Sequence, residues 1–349
     1  MNRKKIIVTG GAGFIGSCLV SKLLENRDYE VLNIDKLTYA SNFELIKNFE
    51  NYRNYQFSKL DICDQEALRE LILAFQPDWV FHLAAESHVD NSIVGPREFI
   101  KTNVLGTYSI LETCRSYFGT LDNRKKAEFR FIAVSTDEVF GDLNIDEPAF
   151  TEESRYVPSS PYSSSKAAAD HLVRAWGRTY GLPVVVTNCS NNYGPNQFSE
   201  KLIPHMITNA IKGETLPIYG DGKQIRDWLH VQDHVDALIV VANKGVPGQS
   251  YNIGASTELS NFYIVSKICK LLDEMIDPQV YGLSTFSELI RHVSDRPGHD
   301  RRYAINSSKI RDELGWTSKI EFEQGLYTTV AWYVKKVTAE MAQVQGRLS

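Results

Sequence analysis

Thr136, Asp137 and Glu138 follow one another at the end of the apolar run RFIAVS, and Tyr162 and Lys166 stand four residues apart in YSSSK. Each group suggests a proton transfer. On a helix, residues i and i+4 share a face. An ammonium beside a phenol lowers the phenol's pKa. The phenolate can then take the proton of an alcohol while the carbon gives up hydride to an acceptor. Oxidation of an alcohol needs no more than this. Two adjacent carboxylates behind a hydroxyl have a task only if a later step needs both a base and an acid. Adjacent acids with coupled titration can divide those roles, one ionised and one protonated.

The elements that must position these groups are legible as alternating strands and helices. KIIVTG (5–10), EVLNID (30–35), WVFHLA (79–84), RFIAVS (130–135) and PVVVTN (183–188) are rich in Val, Ile and Phe, and most are apolar on both faces. Such runs suit parallel strands covered by helices on both sides. YQFSKLD (55–61) is a weaker strand between the second and third of these, and amphipathic stretches over 64–75 and 167–180 fill gaps. PSSPY argues for a fixed helix start just before the Tyr-Lys pair. The alternation predicts an α/β chain with a Rossmann-type doubly wound parallel sheet. After about residue 190 turn-rich stretches appear (SNNYGPNQFSE, YGDGKQ, SDRPGHD), with helices over 262–275 and 307–314. Residues 1–190 are therefore expected to form the sheet domain and 191–349 a smaller, loop-rich C-terminal lobe. DHVDALIVVANK and SYNIG, near 230–254, are expected to return to the first sheet.

VTGGAGFIGS (8–17) places Gly10, Gly13 and Gly16 as GxxGxxG between a strand and a helix. Glycines there let the backbone turn tightly and approach a pyrophosphate, whose charge sits at the helix N-terminus. Asp35 ends the second strand, nineteen residues after Gly16. An acid at that place accepts hydrogen bonds from a ribose diol and repels a 2′-phosphate, which selects NAD over NADP. Lys36 beside it tempers that preference. Asp61 and Ile62, closing the third strand, stand where an adenine could be gripped.

The totals exclude several classes. The chain has 349 residues, enough for one large or two closely joined domains. Hydrophobic content of 43% and charged content of 23% are ordinary for a globular protein. A net charge of -5 offers no basic footprint for nucleic acid. Five cysteines without a CxxC pair fit free thiols in a reducing cytoplasm. Apolar runs such as ALIVVA are too short to span a bilayer, and MNRKK leads straight into a strand, leaving no room for a signal segment. No repeat or low-complexity linker is present. His230 and His234 flank Asp233 with a metal-like spacing, but no third ligand clusters with them. They are expected to cap a helix or be solvated, His82 to pack within its strand, and no metal to bind. The acidic stretch DEPAFTEESR reads as a solvated loop.

GxxGxxG at the N-terminus, an acid after strand two and YxxxK together resemble the extended short-chain dehydrogenase/reductase family. LAAESHVD (83–90), NVLGT (103–107) and RDWLHVQDH (226–234) support this along most of the chain. The family implies a Rossmann domain, tightly held NAD, a nucleotide-sugar substrate in the second lobe and usually a homodimer. STDEVFG resembles the Thr-Asp-Glu signature of dTDP-glucose 4,6-dehydratases. AAESHVD, PSSPYSSSKAAADHLVRAW, NCSNNYGP, EKLIP, LPIYGDGKQIRDW and DRPGHDRRYAI resemble the same subfamily in the same order, from about residue 5 to about 335.

The resemblance implies roles residue by residue. Tyr162 takes the C4 hydroxyl proton, Lys166 lowers its pKa and holds the nicotinamide ribose, and Thr136 hydrogen-bonds the C4 oxygen. Glu138 removes the C5 proton and Asp137 protonates the C6 hydroxyl. NAD is implied to rest on Gly10, Gly13, Phe14, Ile15, Gly16, Asp35, Lys36, Leu37, Thr38, Asp61, Ile62, Leu83, Ala84, Ala85, Ser87, Thr102 and Asn192, together with Tyr162 and Lys166. dTDP-glucose is implied to meet Ser87, Thr136, Asn191, Lys201, Leu202, Pro217, Ile218, Tyr219, Arg226, Asn261 and the run Asp295, Arg296, Pro297, Gly298, His299. Arg226 has the charge and fork geometry that suit a diphosphate. Departures from the subfamily pattern are Phe140 for Tyr, Asn91 for Arg, Ser164 for Ala, and the Asn196–Ser199 stretch. A GDP-mannose enzyme would more typically show Thr-Ser-Glu. A 4-epimerase would leave Asp137 and Glu138 without a task. A catalytically silent NAD-sensing scaffold would not need all five catalytic groups intact.

Overall fold

Alternation of apolar side chains between two covered faces is what builds the sheet. In the computed structural model, which describes residues 3–348, the strands in chain order are β1 (Lys4–Thr9), β2 (Tyr29–Asp35), β3 (Tyr55–Lys59), β4 (Trp79–His82), β5 (Arg130–Thr136), β6 (Val184–Cys189), β7 (Asn191–Tyr193), β8 (Leu216–Tyr219), β9 (Ile225–His230), β10 (Ser250–Ile253), β11 (Glu258–Ser260) and β12 (Ile290–Val293). Met1 and Asn2, read above as leading into the first strand, and Ser349, at the end of the expected second lobe, lie outside the described residues. Seven strands form one sheet in the order β10-β6-β5-β4-β1-β2-β3. Every neighbouring pair in it is parallel.

Ile6 and Val8 of β1 face one core with Leu19, Val20 and Leu23 of the helix Phe14–Leu24 and Val235, Leu238 and Val241 of the helix Val231–Lys244. Ile7, between them in sequence, faces the other core with Leu68, Ile72, Ile110, Leu111 and Val173. The period of two places successive residues on opposite faces, so both cores are fed by one strand. The order reverses between β1 and β4, and crevices at such switch points are where open α/β sheets bind ligands.

Beyond β6 the chain alternates between two bodies. β10 pairs with β6 at the sheet edge. Ile310, Leu314 and Trp316 also pack into the first core. A separate core gathers Ile203, Met206 and Ile207 of Leu202–Ile211, Ile264 and Ile268 of Asn261–Met275, and Leu326 and Val330 of Phe322–Leu348. A parallel β8–β12 pair and a three-stranded β11-β9-β7 sheet complete it.

Two strand ends differ from the sequence reading by more than one residue. β4 ends at His82 rather than 84, because Thr9 of β1 is its last partner and the Leu83 and Ala84 amides turn back to the Thr9 carbonyl and hydroxyl. β3 ends at Lys59, leaving Asp61 and Ile62 in the turn beyond it. The amphipathic stretch over 167–180 belongs to a helix that begins at Pro161, within PSSPY. Ser160 and Ser163 form a reciprocal capping box there, with proline at the first helical position.

Ile253 is 0% exposed and closes the edge of the first core. Ile253→Ala should cost about 2–5 kcal/mol, the usual range for a buried isoleucine truncation. Urea unfolding measures it, and a loss under about 1 kcal/mol would show that this edge strand does not seal the core.

Candidate active site

The strands β1, β2, β4, β5 and β6 all end at one cleft of about 290 Å³. Its floor is the glycine turn. Gly10 has φ +74, and a Cβ there would sit 2.7 Å from the Ala84 amide nitrogen. A Cβ on Gly16 would fall 2.1 Å from the Gly10 carbonyl oxygen, so helix and strand meet only because both positions lack a side chain. Gly13 precedes the helix Phe14–Leu24 without a side-chain cap. Uncapped helix amides and an unfilled cradle fit a pyrophosphate. Asp35 is fixed by the Ala12 amide on Oδ2 (3.0 Å) and the Leu37 amide on Oδ1 (2.8 Å). Lys36 turns away from it to Thr102 (3.1 Å) and Glu86 (3.6 Å). These residues fit a dinucleotide with a free ribose diol.

The reacting groups stand opposite the cradle. Thr136 is the last residue of β5, and a single short turn, Asp137–Val139, follows it. The Thr136 hydroxyl donates to Asp137 Oδ1 (3.3 Å) and accepts from the Glu138 amide (3.3 Å). Asp137 is 2% exposed, and its Oδ2 has no partner among the described residues. Glu138 keeps part of its surface open to the cleft. Burial raises the affinity of both acids for a proton, but their neighbours differ. Asp137 is pushed well above the usual carboxylate range by burial, then by Glu138 and Asp227, with Arg226 opposing. Glu138 is also raised by burial, but Lys201, Arg226 and Arg296 all favour its charged form. The pair is therefore biased toward a neutral Asp137 and an ionised Glu138.

Tyr162 and Lys166 share one face of the helix Pro161–Tyr180, and both line the cleft. Burial pushes the Tyr162 phenol well above its ordinary value and Glu138 adds to this, while the Thr136 hydroxyl opposes. The Lys166 ammonium donates to the Val134 carbonyl at 2.8 Å, so its charge is turned toward the strand.

Of the residues expected to hold the cofactor, Gly10, Gly13, Phe14, Ile15, Gly16, Asp35, Lys36, Thr38, Ile62, Leu83, Ala84, Ala85, Ser87, Thr102 and Asn192 line the cleft. Leu37 and Asp61 do not. Leu37, at φ 62, uses its amide to fix Asp35, and Asp61 accepts from the Cys63 amide. Of the substrate group, Ser87, Thr136, Asn191 and Lys201 line the cleft. Leu202, Pro217, Ile218, Tyr219, Asn261, Asp295, Arg296, Pro297, Gly298 and His299 stand outside that lining. Around β8 and β12 several of them join a second polar cluster. Arg296 pairs with Asp90 (2.7 Å), Tyr219 donates to Asp90 (3.4 Å), and His299 meets Asp295 (2.6 Å). Arg226 lies over the Tyr303 ring and donates to the carbonyls of Ile225, Arg301 and Asp300. Its fork is engaged by backbone, and it acts on the acids through charge.

Sequence reading did not assign Glu86, Cys189, Ser190, Gln197, Phe198 or Glu200 to the site, yet all six line the cleft. Cys189 and Ser190 could have been found as the end of a strand at the switch point. Gln197, Phe198 and Glu200 carry no periodic signal. Gln197 and Phe198 sit in the segment that departs from the subfamily pattern and Glu200 just after it; Phe198 packs on Tyr39 (5.5 Å) and Asn91 donates to the Tyr39 hydroxyl (3.1 Å). His230 and His234 are buried. His230 caps its helix and His234 meets Asn192 (2.9 Å), with burial lowering its pKa to about 3. His82 is wedged between the Thr9 and Thr107 hydroxyls. Among the described residues no cluster is arranged to hold a metal, and no helix is long and apolar enough to cross a membrane.

A dinucleotide cradle facing a buried phenol and two unequal acids is the arrangement of a Rossmann-fold enzyme that follows oxidation with a further elimination. The family model described as GDP-mannose 4,6 dehydratase matches residues 7–329. A dTDP-glucose 4,6-dehydratase of Escherichia coli is 55% identical over 338 residues, 95% of this chain and 93% of the relative. The crystal structure of a Bacillus anthracis dTDP-glucose 4,6-dehydratase in complex with NAD superposes with a TM-score of 0.83 at 45% identity, covering 95% and 97% of the two chains. That of a Streptomyces venezuelae dTDP-glucose 4,6-dehydratase with NAD and TYD bound gives 0.85 at 40% identity, with the same coverage. The chain belongs to this nucleotide-sugar 4,6-dehydratase family, and these relatives are its dTDP-glucose members.

The raised proton affinity of Asp137 has a stability consequence. A carboxyl whose folded-state pKa is raised stabilises fully below its unfolded value, near 3.8, and that stability is lost as pH rises toward the folded value. Asp137→Asn removes the loss. The variant should exceed the wild type in Tm at pH 8, by at least about 1.4 kcal/mol in stability, the worth of a tenfold change in proton affinity. The advantage should shrink by pH 4. A pH-independent difference in thermal unfolding would show that Asp137 is not held neutral by its surroundings.

Proposed function

We propose that the chain is an NAD-dependent dTDP-glucose 4,6-dehydratase, a hydro-lyase that converts dTDP-D-glucose to dTDP-4-dehydro-6-deoxy-D-glucose and water. The observation that carries this reading is the unequal pair Asp137 and Glu138 beside Tyr162. When bound in the glycine cradle, NAD accepts the hydride from C4 and returns it at C6, so it is regenerated in each turnover. Tyr162 takes the C4 hydroxyl proton as a phenolate, the form that burial opposes and the Thr136 hydroxyl favours, and the Thr136 hydroxyl holds the C4 oxygen. The resulting C4 ketone makes the C5 proton acidic. Glu138, biased toward its charged form by three cations, removes that proton and returns one to C5 when hydride is delivered to C6. Asp137, held neutral by burial, delivers its proton to the C6 hydroxyl, which leaves as water. The unpartnered Asp137 Oδ2 is free for that transfer. Burial of Asp137 and Tyr162 restricts the access of bulk water to the reacting carbons.

Ser87, Asn191 and Lys201 meet the sugar diphosphate at the cleft, and the β8–β12 cluster around Tyr219, Arg296 and His299 receives the nucleotide end. The reading includes a cytoplasmic homodimer. Free cysteines support the compartment. Exposed Leu105, Tyr108 and Tyr180, with Trp176 against both tyrosine rings, support an apolar subunit contact on the helical segments Ile100–Gly106, Thr107–Thr120 and Pro161–Tyr180.

Incubation with dTDP-glucose in D₂O, followed by mass spectrometry and NMR, tests the reading. Loss of one water, solvent deuterium at C5 and the original C4 hydrogen at C6 are expected. An unchanged mass with the galactose isomer would mean a 4-epimerase, and no reaction would point to another nucleotide sugar or a silent scaffold. The Asp137→Asn variant should slow loss of water far more than C4 oxidation. An equal fall in both would remove Asp137 from the acid role.

A further inference from the structure

Behind the catalytic strand lies a buried carboxylate that the reaction scheme above does not use. Asp170 is 2% exposed and stands one helical turn past Lys166 on the helix Pro161–Tyr180. Its Oδ2 accepts the Ser135 hydroxyl at 2.7 Å and the Tyr156 hydroxyl at 3.0 Å. The Tyr156 oxygen also accepts from Arg174 (2.8 Å) and from Asn188 Nδ2 (3.2 Å). The same Asn188 amide donates to the Thr136 carbonyl at 3.1 Å. Three successive residues of β5 are thus gripped from one side. Lys166 holds the Val134 carbonyl, Asp170 the Ser135 hydroxyl, and Asn188 the Thr136 carbonyl. The next two residues are Asp137 and Glu138.

We propose that Asp170 is a positioning residue for the dehydratase reaction, fixing the end of β5 and serving as the buried counter-charge that keeps Lys166 an ammonium. This rests on the dehydratase reading. The other groups around the lysine cannot supply that charge. Tyr162, on its own helix, and Cys189, from β6, are held neutral by burial. His82, from β4, is uncharged near neutrality, since burial lowers its pKa to about 3. Asp170 is the first of the groups that oppose the loss of the Lys166 proton on burial. Burial raises the proton affinity of Asp170 itself, and Lys166, the Ser135 hydroxyl, Arg174 and the Tyr156 hydroxyl all oppose this by favouring its ionised form.

The sign of the effect follows. Without the carboxylate, Lys166 gives up its proton at lower pH. Single-turnover C4 oxidation of dTDP-glucose by NAD-loaded enzyme, read as the absorbance of reduced cofactor, should show an alkaline limb. In the Asp170→Asn variant that limb should move down by about one pH unit or more, as expected for loss of an opposite charge one helical turn away in a buried setting. A uniform loss of rate with the limb in place would reduce Asp170 to a purely structural role and overturn the proposal. Asp170→Glu keeps the charge but displaces it, and remains decisive should the Asn variant not fold. It should leave the limb near its wild-type pH while lowering the rate at least about tenfold through misplacement of the strand end. A wild-type rate in that variant would overturn the positioning claim. Wild-type enzyme run alongside separates the two readings: if it does not oxidise dTDP-glucose, the dehydratase reading fails and takes this one with it. If it does and the variants behave otherwise than stated, only Asp170 loses its role.

Discussion

Two carboxyl groups cannot both be charged when buried side by side without strong compensation, and the active end of this molecule is organised around that constraint. Asp137 and Glu138 sit on one short turn at the end of β5. Their covalent adjacency fixes their separation, so only the surroundings can make them different. The surroundings do so with placed cations. Lys201, Arg226 and Arg296 all favour a charged Glu138 against burial and Asp300, whereas Asp137 has only one cation, Arg226, and the Thr136 hydroxyl against burial and two acids. The surroundings thus bias one residue toward a base and its neighbour toward an acid at the same pH, which the proposed elimination across two adjacent carbons requires.

The cations come from parts of the chain far apart in sequence, and this explains the two-bodied fold. β5 is supplied by the parallel sheet, whose switch point also places the glycine cradle. Lys201 precedes the helix Leu202–Ile211, Arg226 lies on β9, and Arg296 follows β12. All three belong to the second body. The cofactor cradle and the acids could be built on the sheet alone, but the asymmetry between the acids could not. β10 and the helix Val231–Lys244 return to the sheet core and tie the cation-bearing segments to it.

Much of this was legible in the sequence because it is periodic or locally spaced. The strands announced themselves by apolar runs on both faces, the cradle by three glycines, and the catalytic pairs by adjacency and by i, i+4 spacing. What escaped reading depends on tertiary direction. The Tyr162–Lys166 spacing was visible, but that the ammonium is turned to the Val134 carbonyl depends on where β5 lies beneath the helix. Arg226 had the chemistry for a diphosphate, yet its fork is taken by backbone carbonyls of Ile225, Asp300 and Arg301, which only the fold brings to it. Gln197, Phe198 and Glu200 reach the cleft from an irregular segment, and irregular segments have no period to read. Asp170 sat in plain view within KAAADHLV; its value lies in contacts with Ser135 and Tyr156, on a strand and a loop that precede the helix.

The central claim is that Asp137 is neutral and Glu138 ionised in the same folded molecule near neutral pH. Infrared difference spectroscopy tests it directly, with the protonated-carboxyl stretch compared between wild type, Asp137→Asn and Glu138→Gln at pH 7. The account expects a band from a buried, protonated carboxyl that vanishes in the Asp137→Asn protein and persists in the Glu138→Gln protein. A band that survives the change at Asp137 and is lost with Glu138 would reverse the acid and the base and contradict the account.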